Sequence, residues 1–231
     1  MSYTMHALYI PWPKKTRAGA ELGAKAKQWQ RAMLEQMKTL FMVTHLDDEE
    51  MDLIIRPKRD ESIFIMAGHG RGNTDYVFWD KEKDAPVWKG FSKEQLLKQP
   101  ELKSKACLSP QEYVDRFAKY YDPSIDCNVE IYSCYSGHKG ERAFGYLVAK
   151  ELWRRGYTKC RIFGYTRAVT QSFMGGEKGS TPKGDSRRYP KEDLAIPRLY
   201  GTSKWNDFRD RGSPVMRYVR LEECRVEFTD R

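Results

Sequence analysis

Two residues in this chain have the types and settings for nucleophilic chemistry. Cys134 lies in "NVEIYSCYSGHKGERAFGYL" and His69 in "SIFIMAGHGRGN". Each follows an apolar run of strand length, and each is followed at once by small residues. A thiol attacks a carbonyl only as thiolate, so it needs a base or a positive potential nearby. His69 is the candidate base. It would lie across from Cys134 if the two apolar runs form neighbouring strands. The helix expected to begin near Lys139 would add the positive end of its dipole. Gly70 has no side chain, so its N–H can approach a substrate carbonyl, and with the N–H of Cys134 it would form an oxyanion hole. Ser136 and Gly137 would shape the tight strand-to-helix turn that presents the sulfur.

The other candidates carry less. His138 stands too close to Cys134 in sequence to reach back, and reads as an exposed residue at a helix start. His6 and His45 have no functional case. Five cysteines without a CxxC pair argue against a disulfide framework and against a zinc site. Cys107, Cys127, Cys160 and Cys224 read as ordinary small residues in a reducing compartment. "GHGRGN" has the glycines of a phosphate loop but lacks the Lys-Ser/Thr and the following helix. No cofactor is expected.

The elements that must position the pair can be read from periodicity. "HALYI" (6–10) is a strand stopped by Pro11 and Pro13. Leu22, Ala26, Trp29, Met33, Met37 and Leu40 recur at helical steps and make one apolar face over 21–40. "FMVTHL" (41–46) is a short strand, and Asp47 and Asp48 open a helix that Pro57 ends. The near-continuous apolar run 62–67 marks a strand covered on both faces. "YVFWD" (76–80) is an edge strand or hairpin arm. A helix spans 109–121, with Ser109 as cap and Pro110 at its first position. Strand 128–133, helix 139–156 and strand 159–165 follow. Residues 166–214 show no sustained period, and 215–228 returns to strand. Strands alternating with helices predict one α/β domain over 1–231, with a mostly parallel central sheet and helices on both faces. In such sheets function gathers beyond the carboxyl ends of the strands, where both His69 and Cys134 fall.

"FIMAGHGRG" followed 65 residues later by "EIYSCYSG" resembles the catalytic elements of the caspase-like cysteine peptidases. That group includes metacaspases, separases and bacterial relatives. "SCYSG" is close to the metacaspase-type Ser-Cys-x-Ser-Gly, and "GHGRG" resembles the separase-type Gly-His-Gly. The animal caspase form Gln-Ala-Cys-x-Gly matches less well, with Ser136 where its Gly would stand. The order His before Cys is the reverse of papain-type enzymes.

The resemblance spans roughly 6–165 and implies a caspase-like three-layer sandwich. It implies a cysteine endopeptidase acting on protein or peptide substrates, with His69 as base, Cys134 as nucleophile, and Gly70 and Cys134 amides as oxyanion donors. Metacaspases carry an Asp at the position of Tyr132, part of an acidic substrate pocket. Asp75 and Asp80, with Tyr132 and Ser136, are the candidate pocket residues here. Calcium or small-molecule activation occurs among relatives. In caspase-like enzymes the loop corresponding to 166–190 helps build the substrate pocket.

Charge offers a different reading. The chain carries a formal +9, and Lys178 to Arg220 holds eleven Lys/Arg against five Asp/Glu. "RRYP", "RLYGTSKW" and "FRDRG" interleave Arg with aromatic rings, a mixture that grips phosphates and stacks bases. A nucleic-acid- or anion-binding protein is therefore the alternative, and an inactive peptidase-like scaffold a third. No apolar stretch approaches a membrane span, and the N-terminus lacks a signal-peptide pattern. A cytoplasmic protein is expected, or one exported without a cleavable signal.

Overall fold

The first described strand lies inside the sheet, one place from its edge. In the computed structural model, which describes residues 5–37, 40–48, 56–68, 77–78, 107–138, 140–169, 194–196 and 218–230, β1 (Met5–Ile10) pairs in parallel with β2 (Leu40–His45) on one side and β3 (Ser62–Ile65) on the other. β3 in turn pairs with β6 (Asn128–Ile131), and β6 with β7 (Arg161–Tyr165), all parallel. β11 (Arg225–Phe228) closes the edge antiparallel to β7, giving the order β2-β1-β3-β6-β7-β11. The architecture is α/β with a mostly parallel six-stranded sheet.

Handedness distributes the helices. α1 (Arg17–Met37) connects β1 to β2, moving one way along the sheet. α2 (Pro110–Phe117) precedes β6, and α3 (Phe144–Arg154) connects β6 to β7, moving the other way. Right-handed crossovers in opposite directions lie on opposite faces. The contacts agree. Trp29 of α1 packs on Phe41, Phe64 and Tyr132. On the other face Tyr9 meets Phe117 of α2 and Tyr121, and Tyr113 of α2 meets Phe144 of α3. Burial on both sides explains why 62–67 reads as a continuous apolar run.

Local signals account for the helix ends. α1 begins four residues before the expected Glu21, because the Thr16 hydroxyl accepts the Gly19 N–H at 3.1 Å and caps it. Leu22, Ala26 and Trp29 form its buried stripe, while Leu40 belongs to β2. Ser109 and Glu112 close a capping box around Pro110 as expected. Asp47 and Asp48 fix the turn after β2: Asp47 accepts the Lys14 N–H and Asp48 the His45 N–H. The helix expected after them falls mostly on 49–55, outside the described residues.

Beyond β7 the sequence expectation needs correcting. β8 (Ala168–Val169), β9 (Leu194–Ile196) and β10 (Tyr218–Arg220) form a small second sheet of three parallel strands. The strand expected over 215–228 is two strands in different sheets, separated by the 3-10 turn Leu221–Cys224. β4 (Val77–Phe78) pairs antiparallel with β5 (Cys107–Leu108), as a hairpin arm would. The rest of 170–217, including the basic and aromatic clusters, lies outside the described residues. No helix among the described residues is long and apolar enough to cross a membrane.

One charge sits inside the sheet. Glu130, in the middle of β6 and 2% exposed, accepts the Tyr165 hydroxyl at 2.8 Å and pairs with Arg225 of β11 at 2.6 Å. The Arg225 guanidinium also lies over the Phe163 ring, 3.5 Å from its centroid. A buried carboxylate is tolerated only while its cation and hydrogen bonds remain. Arg225→Met should therefore cost about 3 kcal/mol. Adding Glu130→Gln, which keeps an acceptor for Tyr165, should recover most of that loss. Urea midpoints of the single and double variants check this, and a double variant no more stable than Arg225→Met alone would refute the coupling.

Candidate functional site

The site is built where β3 and β6 run side by side. Their register pairs Ile65 with Ile131, so the two chains leave the sheet together at its carboxyl edge. The topological switch point of the sheet lies one strand over, between β1 and β3, because the chain first moves from β1 to β2 and then returns past β1 to β3. The condition placed on the pair, that their strands be neighbours, is met.

Beyond Ile65 the β3 chain is pinned on several sides. Met66 N–H donates to Tyr9 O at 2.8 Å, and Trp12 Nε1–H to Ala67 O at 2.8 Å. The Tyr113 hydroxyl and the Tyr132 N–H both donate to Ile65 O. Gly68 then turns the chain with φ at 124°, a conformation that essentially only glycine adopts. The described course ends there. His69 and Gly70 lie outside the described residues, as do Asp75 and Asp80.

Beyond Ile131 the chain makes a tight knot around Cys134. Ser133 N–H donates back to Ile131 O at 2.9 Å, and Ser136 N–H to Ser133 O at 3.2 Å. Tyr135 sits at φ 58°, the only described non-glycine residue on the left-handed side. That conformation is held by Tyr135 N–H to Arg167 O and by His138 N–H to Tyr135 O, both 3.0 Å. Cys134 itself is half-buried. Its Sγ accepts the Val169 N–H at 3.4 Å and donates to Val169 O at 3.5 Å, so β8 lies against the thiol.

Two expected pocket residues turn out to be internal. The Ser136 hydroxyl donates to Ile131 O at 2.7 Å and accepts the Tyr165 N–H at 3.0 Å, bridging β6 to β7 with its side chain buried. Tyr132 is fully buried against Trp29, Phe64 and Tyr165. Burial pushes its hydroxyl pKa far up, with Cys134 and Cys224 as smaller contributors, so it stays a neutral phenol. With their side chains buried, both residues shape the turn from inside. His138 is exposed, with its ring edge-on to Tyr135 at 5.8 Å.

The helix that was to polarise the thiol also starts later. A 3-10 turn, Gly140–Arg142, comes first, and α3 begins at Phe144. One of its first N–H groups, that of Gly145, is spent on Ser136 O at 2.8 Å. A Cβ at Gly145 would fall 2.4 Å from that same oxygen, which is why the helix can come so close. Sequence reasoning missed Gly68, Tyr135, Trp12 and Val169. Of these, only the glycine before His69 left a readable trace.

Among the described residues no group of three or more His, Cys, Asp or Glu side chains could hold a metal ion. None of Cys127, Cys134, Cys160 and Cys224 is in a disulfide. No family model, no curated protein and no solved structure matches the chain.

Two substitutions probe the knot. Ser136→Ala leaves the buried Tyr165 N–H without its acceptor and should cost about 1–3 kcal/mol. Gly145→Ala forces a methyl onto the Ser136 carbonyl and should cost a similar amount, about 1–3 kcal/mol. Thermal or denaturant unfolding measures both. Wild-type stability in both variants would mean that the turn is not held in this way.

Proposed function

We propose that the protein is a cysteine endopeptidase of caspase-like type, with Cys134 as nucleophile and His69 as general base. The observation that carries the reading is the β3–β6 pairing. Gly68, which precedes His69 in the chain, and Cys134 leave adjacent parallel strands at the carboxyl edge of the sheet. The resemblance implied a mostly parallel sheet with helices on both faces, and the observed architecture agrees with that.

The chemistry follows from the groups around the sulfur. The thiol proton passes to His69 Nε2 or Nδ1, which ends the Sγ–H donation to Val169 O. The Val169 N–H can then continue to donate to the thiolate, favouring the charged form. Cys134 Sγ attacks the scissile carbonyl carbon. The oxyanion is taken up by the N–H groups of Gly70 and Cys134, and His69 returns its proton to the leaving amine. Water activated by His69 then cleaves the thioester and regenerates the thiol. The left-handed Tyr135 fits this role, because strained backbone persists where its surroundings over-determine it, often at functional turns. In this reading substrate specificity rests with Asp75 and Asp80 and with the 166–190 segment. Tyr132 and Ser136 act only by fixing the nucleophile turn.

Cys134→Ala and His69→Ala should each lower peptide cleavage by at least ~10²–10⁴ while leaving the folded state intact. Replacing Cys107 or Cys224 with Ser should leave cleavage near wild type. Screening a mixture-based peptide library with the wild type and these variants checks it. Undiminished cleavage by Cys134→Ala would sink the mechanism.

A further inference from the structure

We propose that Cys127 and Cys160 form a redox-responsive dithiol, a modification site at the amino end of the sheet that peroxide closes into a cross-strand disulfide. It is independent of the peptidase reading, because it involves neither Cys134 nor the carboxyl edge.

The placement comes from strand register. Cys127 immediately precedes β6 and Cys160 immediately precedes β7, two parallel strands whose first registered pair is Asn128 with Arg161. The Arg161 N–H donates to Cys127 O at 3.2 Å, which carries the ladder one step further back. Residues at equal offsets on adjacent parallel strands stand side by side on the same face, with strands roughly 4.8 Å apart. That spacing lies inside the Cα separation that a disulfide accepts, roughly 4.4–6.8 Å. The side chains are neighbours, since each thiol is the first cause of the other's pKa shift. Cys160 Sγ also donates to Ile125 O at 3.5 Å. Tyr157, whose hydroxyl donates to Tyr121 O, belongs to the same buried cluster.

The pair is asymmetric, and the asymmetry assigns the roles. Cys160 keeps 7% exposure and Cys127 only 1%, so a small oxidant reaches Cys160 first. The Cys127 thiol beside it holds the Cys160 pKa below its ordinary value against the cost of burial. The neighbouring Cys160 thiol, with burial second, pushes the Cys127 thiol up. Cys160 is therefore the thiol that ionises and attacks, and Cys127 the one that resolves.

The step balances with hydrogen peroxide as oxidant. The Cys160 thiolate attacks one peroxide oxygen, the O–O bond breaks, and hydroxide leaves to take up a proton as water. Cys160 is then a sulfenic acid. Cys127 sulfur attacks the sulfenic sulfur, the S–O bond breaks, and hydroxide leaves with the Cys127 proton as a second water. Two thiols are oxidised by two electrons and one peroxide is reduced to two waters. The new bond closes a ring that holds β6, the Cys134 turn and α3, so it tethers the site-bearing segment while leaving the reactive edge untouched.

The test uses the full chain and its Cys134→Ala variant, so that any oxidation of Cys134 is separated from the outcome. Each is exposed to dilute hydrogen peroxide, quenched, alkylated in denaturant and digested without reduction. In Cys134→Ala the expected result is the loss of two alkylatable thiols, and in the full chain the same two are lost whether or not Cys134 is also oxidised. One linked peptide pair joining Cys127 to Cys160, two hydrogens lighter than its parts, should appear and disappear on treatment with dithiothreitol. Recovery of Cys127 and Cys160 unlinked, or a link from either to another cysteine, would overturn the proposal. In Cys160→Ser, Cys127 should remain alkylatable after the same exposure; its oxidation there would also contradict the assigned roles.

Discussion

The interior of the sheet is where the strands meet their heaviest constraint. β3 gives its backbone hydrogen bonds to β1 on one side and β6 on the other; Trp29 and Tyr132 pack on Phe64 on one face, and Ile63 and Ile65 are fully buried on the other. A slip of one residue along either neighbour would turn Ile63 and Ile65 out of one layer and Phe64 out of the other. The register is therefore fixed by packing on two sides at once. With it is fixed the relation between the two chains that leave β3 and β6. Everything at the carboxyl edge depends on that double lock.

The knot after β6 shows how the lock is carried outward. A left-handed tyrosine costs about 1 kcal/mol or more, and it stands because nearly every backbone group around it already has a partner. Arg167 O, Ser133 O, Tyr165 and the Gly145 N–H of α3 all bind the turn. Apart from Ser133, these partners come from α3, from β7 and from the residues just after it, and both elements are seated on the core through Phe144, Val148, Leu152 and Ile162. A half-buried thiol at the head of such a turn is presented by the whole α3–β7 unit, not by its own short loop. Ser136 is central to this: one hydroxyl joins the strand that ends before Cys134 to the strand that follows α3.

Much of this frame was legible in the sequence, and the reason is burial. A strand covered on both faces, such as β3, leaves a short apolar run bounded by turn residues. The Ser109-Pro110-x-Glu112 start of α2 spells out its cap. The rest was hidden for physical reasons. β8, β9 and β10 are two or three residues each, too short for any period to show. Glu130 carries nothing in its local sequence that marks it as buried. Its partner Arg225 comes from the far end of the chain, and no local pattern links the two. The inward aim of Tyr132 and the bridging role of Ser136 follow from the back-bonded turn at Ser133, which has no sequence signature. The later start of α3 reflects a Gly140–Arg142 turn that periodicity merges with the helix.

The central claim is that the sulfur at the carboxyl end of β6 is a catalytic nucleophile served by His69. A peptidyl acyloxymethyl ketone, which alkylates a thiol only after an active-site attack, tests it most directly when the labelled cysteine is mapped by mass spectrometry. The account predicts stoichiometric label on Cys134, strongly reduced in His69→Ala and absent from Cys127, Cys160 and Cys224. Label spread over the other cysteines, or label on Cys134 that does not depend on His69, would contradict it.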